Sequence, residues 1–377
     1  LALEKSIGLE TTSMLLVEEK RVDRQSLQEI EELWRGLESH SGEYFFTSWH
    51  WIGAWLRTSA TDPRLLMVYD GNSLVGMGCV HFSQFNKNAF AWKQANLNRT
   101  GNSGYDQIWI EYNDVLAAPD IRAEVRESLI HHVLGYSDIA EFRIGMSLNT
   151  VLDSLTGVDT VSEYEFRTKG FLLNLRPEFS DFNTLLKAFS SNTRSQIRRS
   201  YKAYSSHGEL TVTSAGSREE ALDYFAAAGH LHKEKWSDSG FHNSKFINFH
   251  KDLINNSFDE GVIDLLKVSA GETVLAYLYN FVYRGRVYFY LSGINYEPSD
   301  NQYKPGLLAH VLAISWYSAR NMAVYDFMAG DARYKRSLSD SEYDMALLSI
   351  KKKTIKTSAY KLLKKVRTQV KRGLNKH

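Results

Sequence analysis

Residues 65–82, LLMVYDGNSLVGMGCVHF, run apolar, break at Asp70-Gly71-Asn72 and turn apolar again. That order predicts two antiparallel strands joined by a tight turn. Residues 265–282, LLKVSAGETVLAYLYNFV, repeat the order 200 positions later, with Gly71 matched by Gly271 and Val75-Gly76 by Leu275-Ala276. A self-similarity of this kind has to be found before any motif is weighed, because it decides the architecture. The flanks keep the same register. Upstream of each hairpin lies an aromatic stretch at helical spacing, Trp49, Ile52 and Trp55 in one case and Phe246, Phe249 and Leu253 in the other. Downstream come a strand, a helix-periodic segment (121–134; 307–320) and a further strand (139–146; 322–329). Each half therefore reads helix, hairpin, strand, helix, strand. An antiparallel hairpin extended through a helical crossover gives a mixed, mainly antiparallel sheet flanked by helices, so the expected class is α/β (α+β), twice over.

The pattern loosens between 150 and 180, and Arg176-Pro177 lies within that stretch. We expect a first domain over 1–165, a second over 166–348 and a separate tail over 349–377. A helix pair is predicted between Asp181 and Lys202, with Ser190–Asn192 capping the second helix. Arg194, Arg198 and Arg199 then share one face, as a solvated surface or as a contact for an anionic substrate or the other half.

Charge divides the chain unevenly. Residues 350–377 hold eleven Lys or Arg and no Asp or Glu, so the other residues carry a net charge of −10 against +1 for the whole. No stretch of eighteen apolar residues and no basic-then-apolar leader occurs, which predicts a soluble, cytoplasmic protein. The single cysteine, Cys79, excludes an internal disulfide and cysteine metal clusters, and a buried thiol is expected. Phosphate-loop, dinucleotide and serine-hydrolase motifs are missing from the sequence.

The most distinctive run is 285–338, with Lys304-Pro305-Gly306-Leu307-Leu308 in its middle and Asp326-Phe327, Gly330 and Tyr334-Lys335 towards its end. A Pro-Gly step opening a helix presents unpaired backbone N–H groups at the positive end of the helix dipole, which makes an anion site. The plain alternative is an ordinary helix start with Pro near its first position. The matching turn of the first half, Ala117-Ala118-Pro119-Asp120, has no glycine and puts a carboxylate there. The run resembles the GNAT-like acyltransferases associated with cellulose and exopolysaccharide biosynthesis, relatives of the peptidoglycan-bridge aminoacyltransferases that contain two GNAT copies. The resemblance spans roughly 165–345, and the first half shares it more loosely, through Phe45, Trp49 and Trp55.

That resemblance implies tandem GNAT-like domains, the first without cofactor, and acetyl-CoA or another acyl-CoA as donor. The 304–308 turn would take the pyrophosphate, with Lys304 adding charge and Gly306 allowing close approach. The strand over 287–293 would pair with the pantetheine arm, which adds Leu291 and Gly293 to the binding set and Tyr290 to the substrate wall. The turn lacks the full Arg/Gln-x-x-Gly-x-Gly/Ala pattern of classical members.

Aminolysis of a thioester needs a base for the amine proton and donors for the oxyanion and the leaving thiolate. Asp326 is the leading carboxylate, Tyr334 the candidate acid for the thiolate, and Lys335 an anchor for phosphate or carboxylate. The alternative for Asp326 is a buried acceptor paired with Lys335. A second polar cluster, His230, His232, Glu234, Lys235 and Trp236, is expected on a helix at the acceptor side, with His232 or Glu234 as base and Trp236 and Arg198 as substrate contacts. His230-x-His232 lacks the spacing of a zinc pair, so no metal is expected.

In the tail, Ile355, Ala359, Leu363, Val366 and Val370 recur at helical spacing among Lys and Arg. This is a basic amphipathic helix, suited to the anionic inner membrane surface at about 1 kcal/mol per basic residue, or packed on the acidic body. The reading that results is acyl transfer from coenzyme A to an amine of a sugar or small metabolite, a small-molecule or saccharide acceptor. An aminoacyl-tRNA donor and a non-catalytic binding role in a polysaccharide-synthesis complex are the alternatives. The acidic body argues against nucleic acid.

Overall fold

The computed structural model describes residues 15–59, 62–87, 89–152, 160–296, 300 and 302–374. The first half runs β1 (Leu16–Arg21), α1 (Leu27–Ser41), α2 (Trp49–Thr58), β2 (Arg64–Asp70), β3 (Ser73–Lys87), β4 (Phe90–Leu97), β5 (Leu116–Ala117), α3 (Arg122–Gly135) and β6 (Ile139–Leu148). The second runs β7 (Thr160–Asn174), α4 (Phe182–Lys187), α5 (Ser191–Ser205), β8 (Leu210–Ser214), α6 (Arg218–Lys235), α7 (Ser244–Ser257), β9 (Ile263–Ala270), β10 (Thr273–Tyr283) and β11 (Arg286–Ile294). It continues with α8 (Pro305–Ser318), β12 (Val324–Ala329), α9 (Arg333–Leu338), β13 (Ser341–Lys352) and α10 (Ile355–Leu374).

Both expected hairpins form, as β2–β3 and β9–β10. Their turns place Gly71 at φ +57° and Gly271 at φ +54°, a left-handed conformation that favours glycine. The repeat extends to an irregularity. Val75 in one hairpin and Leu275 in the other are each left out of the pairing register, so a β-bulge recurs at the same offset of 200. The helix pair after Asp181 is α4 and α5, with Asp181 accepting from the Thr184 amide and Ser190 from the Thr193 amide.

All strands join one sheet in the order β1-β2-β3-β4-β6-β13-β7-β12-β11-β10-β9-β8, with β5 added on β3. The last strand of the second half crosses to the first. β7 follows the first half in sequence but pairs with β12, while β13 ends the second half and pairs with β6. β7 and β13 pair with each other over twelve positions, which fuses the two sheets. The basic run accordingly begins inside the sheet. Lys351 is buried in β13 with Glu141 at 3.2 Å and Glu163 at 2.7 Å, so the tail starts after Lys352 and not at 349.

On one face α1, α2, α6 and α7 bury a single core shared by both halves, where Phe45 stacks on Phe281 at 4.3 Å and Trp51 meets Phe249 at 4.7 Å. The opposite face is covered by α3 in the first half and by α4, α5 and α8 in the second. Cys79 is buried on β3, and burial pushes its thiol up to about 12.

Candidate active site

The two halves differ where a parallel strand pair parts. In the first, β4 and β6 pair from Lys93–Ile139 to Asn96–Arg143. The gap beyond is filled by the chain's own segment 110–115. Asn113 is fully buried, and its side-chain amide donates to the carbonyls of Leu97, at 2.8 Å, and Ile144. Asn98 donates to Asn113 Oδ1 at 2.9 Å, and Asp114 takes a two-pronged contact from Arg126 of α3 at 2.8 and 2.6 Å.

In the second half, β11 and β12 pair only through Tyr288–Asp326. Beyond it Tyr290 is left out of the β10–β11 register and the strands splay. A cleft of about 650 Å³ opens there, walled by β11, the start of α8, the end of α6 and α9. Pro305 is the first residue of α8 and no side chain caps that end. The first-turn amides of a helix have no carbonyl one turn back, so they face the cleft as donors at the positive end of the dipole. Gly306 has room for a side chain, since the nearest atoms to a Cβ there belong to Ile294 at 3.7 Å. Packing within the protein does not demand glycine at this place.

Lys304, Pro305, Gly306 and Leu307 line the cleft, as do Leu291, Tyr290, His232, Trp236, Tyr334 and Lys335. The remaining expected residues lie elsewhere. Leu308 is buried in the core beneath α8. Gly293 faces α6, where a Cβ would stand 2.4 Å from the Ala228 carbonyl oxygen, so it is a packing glycine. Glu234 lies on an exposed face of α6, 3.2 Å from His230. Arg198 is exposed on α5 and does not line the cleft. Asp326 is fully buried and engaged on both oxygens, by Tyr343 at 2.7 Å, the Met328 amide at 2.8 Å, Arg286 at 3.1 Å and Tyr112. A carboxylate so occupied orders the strand end and has no lone pair free for an amine proton. Its side-chain partners are tyrosines and an arginine, and Lys335 donates to the Ala329 carbonyl at 2.6 Å.

Within the cleft, His232 contacts Ser239 at 2.8 Å and burial lowers its pKa, which keeps the ring neutral. Tyr334 stacks on His310 at 5.2 Å, and burial raises its hydroxyl pKa, so it stays protonated. The Tyr290 hydroxyl donates to the Ile108 carbonyl and lies 3.1 Å from His250.

Three further groups come from the first half or from the core. Glu111, within the segment that plugs the first half, accepts the Ala329 amide at 2.8 Å at the end of β12. Burial pushes its carboxyl up to about 7, moderated by the nearby Lys335 charge and the Ala329 amide. Burial in turn lowers Lys335, while Glu111 and Asp326 oppose that shift. Trp109, two residues earlier, is 44% exposed, lines the cleft and has φ +46°, unusual for a bulky residue. Such strain concentrates at functional sites. His310 also lines the cleft, with burial and Lys335 pushing it down to about 3. The run Ile108-Trp109-Ile110-Glu111-Tyr112, one carboxylate amid apolar residues, was the available signal in the sequence for Glu111.

A family model described as an acetyltransferase (GNAT) domain matches residues 191–336, from α5 into α9. Among solved structures the chain is similar to FemX, at 12% identity and TM-score 0.57, over 92% of this chain and 99% of that one. It is also similar to L-PGS from Bacillus licheniformis, at 10% identity and TM-score 0.54, over 90% and 95%. A third likeness is to the C-terminal domain of a putative lysylphosphatidylglycerol synthetase from Agrobacterium fabrum, at 9% identity and TM-score 0.51, over 90% and 95%. No curated protein matches the chain. The family model marks a GNAT domain over 191–336, and the solved structures share the fold over both halves.

Proposed function

We propose that this acyltransferase moves an acyl group from coenzyme A to an amine of a sugar or small metabolite in envelope or exopolysaccharide synthesis, with the second-half cleft as its donor site. The observation that carries the reading is the contrast between the two splayed strand pairs, one plugged by Asn113 and the other open beneath the uncapped start of α8. A pyrophosphate at Gly306 and Leu307 would meet backbone donors and the helix dipole, with Lys304 beside it. The first half then acts as scaffold and supplies Glu111.

In the reaction, the acceptor nitrogen attacks the thioester carbonyl, its proton passes to the Glu111 carboxylate, and the carbon–sulfur bond breaks. A carboxyl poised near 7 suits that step, because about half of it is ionised near neutral pH and the ionised form is strongly basic for a carboxylate. The Tyr334 hydroxyl gives its proton to the departing thiolate, and proton transfer from Glu111 through solvent restores both groups.

The second reading keeps the chemistry and replaces the donor by an aminoacyl-tRNA, and its support is the likeness of both halves to FemX and L-PGS. Calorimetric titration with acetyl-CoA, longer acyl-CoAs and free coenzyme A separates the two. Saturable binding with a preference for one acyl length supports the first. Absence of binding overturns it and leaves aminoacyl-tRNA as the donor to assay.

A further inference from the structure

Among its described side chains, α10 is held to the body by one face. Tyr360 packs among Phe85, Phe90 and Trp92, with ring centroids 5.3 to 5.4 Å away, and Lys364 pairs with Glu163 of β7. Thr357 is buried at the start of the helix, where its hydroxyl donates to the Lys352 carbonyl at 2.6 Å. Tyr360 and Lys364, four positions apart, define the inward face. On the opposite face Ile355 is 91% exposed and Leu362 is 65% exposed, with Ala359 exposed between them. Leu362 completes this outward row, while Leu363, which the sequence spacing favoured, is half-buried. In sequence the row continues at the same spacing through Val366 and Val370, and the helix carries seven Lys or Arg and no Asp or Glu.

We infer that α10 is a docking surface for an anionic lipid bilayer, lying in its interfacial plane with Ile355, Ala359 and Leu362 inserted. Two observations select that occupant. An isoleucine left nine-tenths exposed beside an exposed leucine on one helix row is apolar area without a partner among the described residues. The helix carries seven Lys or Arg and no Asp or Glu, of which Lys364 pairs with Glu163 of the body, and this positive charge complements a negatively charged headgroup layer. No helix among the described residues is long and apolar enough to cross a membrane, so the contact is peripheral.

The test is co-flotation of the full chain with vesicles of phosphatidylcholine alone and of phosphatidylcholine mixed with phosphatidylglycerol. Binding to the mixed vesicles, weakening with added salt, is expected, with little binding to the neutral ones. The double variant Ile355→Glu/Leu362→Glu changes two exposed positions, so its melting temperature should match the wild type while binding to the mixed vesicles falls by about tenfold or more. Absence of binding to either vesicle, or binding undiminished in the double variant, overturns the inference. So does a concentration-dependent dimer that the same two substitutions dissolve, which would assign the row to a second copy.

Discussion

The carboxylate of Glu111 and the backbone amide of Ala329 are hydrogen-bonded at 2.8 Å, tying the first half of the chain to the end of β12, where Lys335 donates to the carbonyl of the same Ala329. Glu111 therefore carries a proton or a charge at the end of β12, near Lys335, which lines the cleft.

If Glu111 takes the amine proton, kcat/KM should rise with pH and level off above an inflection near 7, its carboxyl being pushed up to about that value. Glu111→Gln keeps the acceptor for Ala329 and removes the base, so kcat/KM should fall by about 10²- to 10⁴-fold and lose the inflection. Stability supplies an independent check. The folded pKa lies above the unfolded one, so the stabilisation linked to the protonated carboxyl is complete below the unfolded value and is lost as pH rises through about 7. Thermal melts should place the glutamine variant above wild type at pH 8 and level with it at pH 4. A difference that ignores pH would remove Glu111 from the mechanism.

Gly306→Glu tests the anion site without disturbing the fold. A side chain has room there, with Ile294 atoms at 3.7 Å, and a carboxylate in the first turn of α8 interacts favourably with the dipole by about 0.3–1 kcal/mol. The variant should melt at or slightly above the wild-type temperature while its affinity for acyl-CoA drops at least about tenfold, from loss of space and from repulsion of the pyrophosphate. Unchanged affinity in a folded variant would place the phosphates elsewhere.

Local patterns read well where local physics decides. The hairpins follow from apolar runs around a left-handed glycine, and their shared bulge could be found only after the 200-residue offset had been recognised. The crossing of β13 to β6 was not legible, because pairing across halves leaves no mark within either strand. The Lys351 at the end of β13 read as tail, although Glu141, Glu163 and Glu165 surround it. Asp326 was visible as a carboxylate at a strand end, but its ring of partners is drawn from Tyr112, Arg286 and Tyr343. Glu111 owes its environment to a residue 218 positions away.

Tyr112→Phe asks whether Asp326 is structural. The substitution removes one hydroxyl that bonds Asp326 and Tyr343, and leaves Asp326 with Arg286, Tyr343 and the Met328 amide. Losing one donor to a buried carboxylate should cost about 1.5–3 kcal/mol, read as a lower urea midpoint with an unchanged slope. Because both oxygens of Asp326 are engaged in holding the end of β12, kcat should change by less than about threefold for the folded enzyme, well under the loss of a base. A large drop in kcat at full stability would return Asp326 to the chemistry.

Gly293→Ala addresses the wall of the cleft from behind. A Cβ at this position of β11 would stand 2.4 Å from the Ala228 carbonyl oxygen and 2.5 Å from its Cα, both backbone atoms of α6 that have no rotamer to change. The strand or the helix has to move, and overpacking of this kind costs about 1–3 kcal/mol. Ser292 and Ile294, the neighbours of Gly293, line the cleft, so the same displacement should weaken donor binding along with stability. Gly36→Ala is the control. That glycine is exposed inside α1 with no atom within 4 Å of a Cβ, and alanine there should stabilise the protein by up to about 1 kcal/mol and leave binding unchanged. Urea melts and donor titrations on the two variants therefore have opposite expected signs for stability and only one expected effect on affinity. If Gly293→Ala behaved as Gly36→Ala does, the close approach of β11 to α6 would not be what sets the width of the cleft.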